Sequence, residues 1–468
     1  MDNGSKALKS GLWYFIANFV VKGMALITTP IFTRLMTKSA FGDYSNFFSW
    51  ASIAAIVITM SMESSLISAK FDYEKRLDQY NLSLVGLAFA STAVWAVVIN
   101  VFSGFFCDLL HLRLFYINLI LVYSFFGAIV NVYQMHERFQ YRYKAAVFVA
   151  LLVAVTTAAL SVGLVVGMED TLTGRVIGTV VPTLAVGLAL MVPLTKKGKR
   201  VDVGTWPYVL KICIPYVPHL LSLTVLNSVD RIMITRICGS TDNALYSVAY
   251  TCGHMVTILM IAMNGAFAPW LGDKLHEKAF DQIRKISKYY ILGFCVLAVL
   301  MMLLAPEILL ILGGKSYMEA QFVIAPVAMG CVCQFLYTLF VNVEQYEKKT
   351  VGMAFASVAA AVLNFFLNAV FIPKFGYIAA AYTTLAGYLF LLAVHMLLVK
   401  RMGFGKAFSY GYVAGTVAVM MAVTLLVNYL YTNIMVRIIV FGVLIAALLV
   451  AMYIKRDVMK PLVRKVIK

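Results

Sequence analysis

Residues 214–250 read IPYVPHLLSLTVLNSVDRIMITRICGSTDNALYSVAY. An apolar run ends here at Ile237, a short polar turn follows, and a second apolar run opens near Ala244. A segment of about 20 mainly apolar residues spans a hydrocarbon core about 30 Å thick. Asp230 and Arg231 sit inside the first run, where a charge is costly. Thr235-Arg236 and Tyr246-Ser247 also have counterparts earlier in the chain, Thr33-Arg34 and Tyr44-Ser45. The offset is 236 − 34 = 202 at one end and 246 − 44 = 202 at the other. Ile31 meets Met233 and Phe48 meets Tyr250 at the same offset.

The rest of the 468 residues repeats this alternation of apolar runs and short polar turns. Hydrophobic residues make up 62%, charged ones 13%, and the mean hydropathy is +0.87. A soluble domain carries roughly 25% charged residues, so the solvent for most of this chain is lipid. Spans are expected at 11–34, 44–67, 82–106, 114–135, 145–167, 172–194, 208–237, 244–271, 289–312, 321–343, 351–372, 377–399, 409–430 and 434–454. The fold class is therefore all-α integral membrane, with about 14 transmembrane helices. Six spans separate the two copies of the repeat. An even number preserves orientation, so the repeat is parallel with its axis along the membrane normal. The chain divides into a six-helix lobe over 1–200, a second over 201–402, and two appended helices with a basic tail over 403–468.

Loop charge fixes the topology. With the N-terminus inside, the inner loops and tails hold about 28 Lys and Arg against 8 in the outer loops, namely Arg34, Lys38, Arg113, Arg175, Arg236, Lys315, Lys374 and Arg437. The positive-inside rule then places both termini in the cytoplasm. The formal charge of +18 follows largely from this asymmetry, so it does not argue for nucleic acid. The stretch after Lys6 and Lys9 is too long for a signal-peptide core and reads as a retained first span. The seven cysteines sit mostly in apolar runs without metal-ligand spacing, and read as packing residues rather than a disulfide framework.

Polar residues at membrane depth gather on particular faces. Asn18, Lys22, Thr29 and Thr33 fall within about 60° on a helical wheel, and Ser45, Ser52, Thr59 and Glu63 within about 40°. Thr224, Asn227, Arg231 and Thr235 share a face about 80° wide. His254 matches Ser52 in the repeat. A structural and a functional reading stand for each group. Lys22 snorkels, pairs with Glu63 or lines a wet cleft. Asp230 and Arg231 form a structural ion pair or serve a site. His254 is a packing residue or a proton carrier. A cleft lined by Lys and Arg suits a phosphorylated head group, because low dielectric strengthens each pairing.

Three stretches carry a family resemblance. Pro215, Asn227, Asp230-Arg231 and Tyr246-Ser247-Val248-Ala249-Tyr250 form the first. Asn364, Asn368 and Ile372-Pro373-Lys374-Phe375-Gly376 form the second, with Ala379 where a glycine is frequent. Met62-Glu63, Leu66 and Lys70-Phe71 form the third. In order and on these helices they resemble the polysaccharide-biosynthesis (Wzx-type) oligosaccharide flippases of the MATE and lipid II flippase-like superfamily. The resemblance implies a flippase of the bacterial cytoplasmic membrane. It implies alternating-access movement of a lipid-linked, undecaprenyl-diphosphate-type oligosaccharide, driven by a proton or sodium gradient or by membrane potential. Lys22, Arg231, Arg34 and Arg236, with Asn18 and Asn227, would hold the substrate; Glu63, Asp230 or His254 would couple a cation. Membrane lipids and polysaccharide assembly proteins are the implied partners.

No phosphate-binding Gly-x-x-x-x-Gly-Lys-Ser/Thr run occurs, and no nucleophile constellation, metal set or cofactor motif stands out. An enzyme such as a glycan polymerase would need long outer loops with polar catalytic residues, and the outer loops here are short. The competing reading on the same fold is a MATE-like cation-coupled exporter of drugs or small molecules. Its substrates would favour buried carboxylates over Lys22 and Arg231.

Overall fold

The computed structural model describes residues 23–454 except 25, 141 and 348. Asn18 and Lys22, expected among the substrate-binding residues, therefore lie outside the described residues. After the end of a first helix, α1 (residues 26–35), come α2 (Lys38–Thr59), α3 (Leu66–Asp72), α4 (Leu77–Val101), α5 (Ser103–Leu110), α6 (Leu114–Phe139), α7 (Tyr143–Gly167) and α8 (Thr171–Gly198). The second half has α9 (Trp206–Ile237), α10 (Ser240–His254), α11 (Val256–His276), α12 (Phe280–Leu303), α13 (Ala305–Gly313), α14 (Gln321–Tyr346), α15 (Thr350–Phe375) and α16 (Ile378–Val399). The last pair is α17 (Tyr410–Leu430) and α18 (Ile434–Ile454).

Among the described residues 11 helices are long and apolar enough to cross a membrane, or 12 with α2 and α3 taken as one bent span. The fold is all-helical and membrane-type as expected. Of the other two expected spans, the first lies mostly outside the described residues, and the last is α18, whose apolar stretch is described over Ile434–Val450.

The repeat is visible in where helices begin and end. α1 ends at 35 and α9 at 237, and α2 and α10 start at 38 and 240, an offset of 202 at both points. α5 and α13, at 103 and 305, keep it. From α6 onward the offset becomes 321 − 114 = 207, and it stays 207 for α7 with α15 and for α8 with α16. Five extra residues have entered between the start of α13 and the start of α14. They fall in a stretch that holds a six-residue 3-10 turn, Lys315–Ala320.

Four expected spans are divided: 82–106 at Phe102 and 244–271 at Met255, besides 44–67 and 289–312. The 44–67 run bends by 48° after α2, where Met60 and Ser61 take left-handed φ of 51° and 46°. The 289–312 run divides at Leu304, since Pro306 starts α13 and cannot continue the ladder of α12. By contrast, α9 runs through Pro215 and Pro218 as one helix of 32 residues. Its first half packs Val209 and Cys213 against Met62, Leu66 and Leu84 of the first lobe. Its second half sends Leu226 and Ile234 into the larger core around α10 and α14. This helix, wholly within the expected second lobe, therefore packs on both. All seven cysteines are free.

The lobes touch where the repeated helices begin. Gly42 on α2 faces Ser240 on α10, and a Cβ at Gly42 would lie 1.7 Å from the Ser240 carbonyl oxygen. Asn243 Nδ2 donates to Gly42 O at 2.9 Å, and the Ser240 hydroxyl donates to Asp43. Thr33 donates to Leu312 O at 2.5 Å, Arg34 to Ile311 O at 3.0 Å, and Lys38 pairs with Glu319 at 3.4 Å.

The appended helices are less passive than their composition suggests. Arg437, read from sequence as an outer-loop charge, is 3% exposed and grips Glu307 of α13 with two bonds of 2.5 and 3.0 Å. The Tyr431 hydroxyl donates to Met302 O at 2.9 Å.

Candidate functional site

Two polar regions stand out inside the apolar bundle, one in each lobe. The first is a cavity of about 610 Å³ walled by α2, α6, α7 and α8. Ser52 and Thr59 line it from α2, Ser124, Asn131, Gln134 and Arg138 from α6, and Thr183 from α8. Glu63 reaches it from the turn after the α2 break. The expected stripe of Ser52, Thr59 and Glu63 thus faces one space. Ser45, grouped with it on the wheel, turns back to Phe41 O at 3.1 Å.

The second region surrounds Asp230, which is 1% exposed. Its carboxylate accepts from Tyr246 OH at 2.6 Å, Asn368 Nδ2 at 2.6 Å and Thr384 Oγ1 at 2.5 Å. Asn364 Nδ2 donates to Thr384 at 3.2 Å, and Thr383 donates to Asn368. Four helices, α9, α10, α15 and α16, supply these groups. The network exists because a buried carboxylate without donors would be costly. The motif residues Asp230, Tyr246, Asn364 and Asn368, far apart in sequence, meet here.

Arg231 does not pair with Asp230. Successive helix positions diverge by about 100°, and Arg231 instead donates to Asn227 O at 2.9 Å and lies over the Tyr250 ring at 4.5 Å. Tyr250 stacks in turn on His254, with centroids 5.1 Å apart. Asn227 accepts from Tyr388 OH at 2.9 Å. His254 sits beside Thr257, whose hydroxyl is 3.4 Å from its Nδ1.

The remaining expected cations lie elsewhere. Arg34 donates to Pro30 O at 2.6 Å as well as to Ile311 O, so it ties α1 to the end of α13. Arg236 is exposed in the last turn of α9. Neither joins the Asp230 network or the first-lobe cavity.

Sequence reasoning overlooked Arg175. It was counted with the outer loops, yet it lies in the first turns of α8. Its guanidinium carbon is 3.1 Å from the Phe32 ring centroid and 4.3 Å from that of Tyr44. Nε and Nη1 are buried without a hydrogen-bond partner. Ring faces attract such a cation. Its position inside an apolar run was the signal, and loop counting hid it. Among the described residues, no group of three His, Cys, Asp or Glu could hold a metal.

Comparison with known proteins fits this architecture. A family model described as "Polysaccharide biosynthesis protein" matches residues 7–276. The chain is 22% identical over 158 residues to "Lsg locus putative protein 1" of Haemophilus influenzae, covering 33% of this chain and 39% of that relative's length. A solved structure titled "Lipid II flippase MurJ, inward closed conformation" superposes with a TM-score of 0.65 at 15% identity, covering 96% of this chain and 99% of that one. An inward-facing multidrug resistance MATE family transporter of the MOP superfamily gives 0.64 at 13% identity, covering 82% and 95%. These two solved structures share the fold of this chain. The chain is a multi-pass membrane protein and belongs to the polysaccharide biosynthesis protein family.

Proposed function

We propose that this chain flips a lipid-linked oligosaccharide, of the undecaprenyl-diphosphate type, across the bacterial cytoplasmic membrane. The observation that carries the reading is the 610 Å³ polar cavity within an apolar bundle. Hydroxyl and amide groups on α2, α6 and α8 suit a saccharide. Lobes over 1–200 and 201–402 would rock about the α2–α10 seam, with 403–468 as an accessory pair. The lipid tail would remain in the bilayer.

In this reading the cytoplasmic end of the bundle is the one bearing the cationic loops, with both termini there. Arg231, backed by Asn227 and Tyr250, is the second-lobe cation for the diphosphate; Lys22 with Asn18 is its first-lobe counterpart. Arg34 and Arg236 would act at the outer end, at the seam and the surface. Glu63, Asp230 and His254 are the coupling candidates for a proton or sodium ion. Asp230 has the strongest case, as a buried carboxylate held by one amide N–H and two hydroxyl donors. Polysaccharide assembly proteins are the expected partners.

The test is genetic and biochemical. A deletion strain should accumulate the lipid-linked unit in the cytoplasmic leaflet, and Arg231→Ala or Gln134→Ala with Asn131→Ala should fail to restore export at matched expression. Full export by all of these variants would refute the assignment. Altered drug resistance with normal glycan export would instead favour the exporter reading.

A further inference from the structure

A groove on the surface of the second lobe shares no lining residue with either polar region above. It has a volume of about 650 Å³ and lies between α12, α17 and α18. Two tyrosines tie α17 to α12 at its ends. Tyr412 OH donates to Lys288 O at 3.2 Å, and Tyr431 OH to Met302 O at 2.9 Å. The ties are 302 − 288 = 14 residues apart, about 21 Å along α12. Between them the walls are apolar. Leu292, Val296, Val299 and Leu303 line the groove from α12 at helical spacing, opposite Val419 and Val423 of α17. Gly411 and Gly415 widen the end near Tyr412, since a Cβ at either would meet nothing within 4 Å.

The two ends differ in charge. At the Met302 end stands Arg437, 3% exposed and already bonded to Glu307. At the Lys288 end the groove opens into a recess of about 450 Å³ lined by Arg284, Lys285 and Lys288. Leu292 and Tyr412 line both spaces, so groove and recess are continuous. Arg284 is committed to the backbone, with Nε and Nη2 on Lys406 O at 3.2 and 2.5 Å. It also offsets Asp281, which lines the recess, at 3.9 Å. Lys285 and Lys288 are exposed, and Lys288 Nζ stands 5.6 Å from the Tyr412 ring centroid. Cations at this end of the bundle need no ligand by themselves, because topology accounts for them. Two lysines at the mouth of an apolar groove do more, because they match a molecule with an anionic head and an apolar tail.

We propose that this groove holds a resident anionic phospholipid, its phosphate at Lys285 and Lys288 and one acyl chain along α12 toward Leu303. The length fits one leaflet. Leu292 to Leu303 is 303 − 292 = 11 residues, about 16 Å of helix, and half of the hydrocarbon core is about 15 Å. A polyprenyl tail overruns that length. A lipid being carried across must also move its head group. Among the described residues, the wall beyond Tyr412 offers one hydroxyl, Thr416, which is bonded to Tyr412 O at 2.8 Å. A charged head group therefore has no path along the groove, and its occupant stays in one leaflet. The bilayer is as apolar as the groove wall, so the tail gains little by entering, and selectivity rests on the head group. Bound there, the lipid packs α17 and α18 against the second lobe between the two tyrosine ties. The proposal stands apart from the transport reading; only the leaflet, that of the cationic loops, follows the expected topology.

Native mass spectrometry of the full-length protein in detergent, titrated with phosphatidylglycerol, tests it. One phosphatidylglycerol per chain should outlast washing that removes phosphatidylcholine. Lys285→Gln with Lys288→Gln should weaken binding by about tenfold or more, at roughly fivefold for each lysine near a lipid head group. Lys196→Gln with Arg200→Gln removes two exposed cations beyond the end of α8, and should bind as the wild type does. Gly415→Leu, which fills the groove and leaves both lysines in place, should also lose the lipid. Equal retention in the wild type, the double lysine variant and Gly415→Leu overturns the proposal, as does equal retention of the two phospholipids. Displacement by equimolar undecaprenyl phosphate overturns it too, and would give the groove to the cargo. Because no transport is measured, failed glycan export with normal lipid retention counts against the proposed function alone.

Discussion

Asp230 has three neutral donors from three other helices and no cation bonded to it. Replacing it with Ala strands Tyr246, Asn368 and Thr384, at about 1–3 kcal/mol for each buried group left unpaired. Thermal unfolding in detergent should therefore show a large loss for Asp230→Ala. Asp230→Asn, which retains an acceptor, should cost less while removing the charge. If Asp230 couples a cation, Asp230→Asn should stop transport while staying folded. Arg437→Ala should cost about 1.5–3 kcal/mol, as expected for a charged hydrogen bond, and loosen α18 in limited proteolysis. At this scale the sequence was only partly legible. Asp230, Tyr246, Asn364 and Asn368 stood out as motif residues, but their meeting point was invisible because 138 residues separate Asp230 from Asn368. Arg175 and Arg437 were misread because loop counting weighs a charge by its position along the chain. Where the side chain turns is decided by neighbours such as Phe32, Tyr44 and Glu307.

The seam between α2 and α10 is a contact of backbone on backbone. It exists because Gly42 has no Cβ to meet Ser240. Gly42→Ala should force these helices apart, shifting spin-label distances between the lobes. Conversely, Asp43→Cys with Ser240→Cys, on a background lacking the native cysteines, should cross-link under mild oxidation. Such a cross-link should block export until it is reduced. Most helices were legible as elements, because a run of some 20 apolar residues leaves little choice in lipid. The bend after Thr59 was not, since neither Met60 nor Ser61 is a residue that marks a break. The path of α9 across both lobes was equally hidden. Pro215 and Pro218 do not break it, and the change of partners happens along an unbroken helix.

As a whole the molecule is two copies of one plan, and the offset of 202 in four residue pairs announced that plan before any coordinates. Cysteines placed at position 349 and at 374 should test its orientation in the membrane. The first should react with a membrane-impermeant thiol reagent only after cells are opened, and the second in intact cells. The copies are nonetheless not interchangeable, and the five-residue insertion is the reason. Its turn reaches Lys38 at the start of α2, through Glu319 at 3.4 Å and the Tyr317 ring at 5.5 Å. The shorter stretch between α5 and α6 brings no equivalent residues. If the chain arose by doubling an ancestral half, the halves have diverged here, leaving a clasp on one side of the garment. A protein made of two first halves would have no such fastening, and excising five residues from the turn should leave a molecule that still assembles but rests open at that edge.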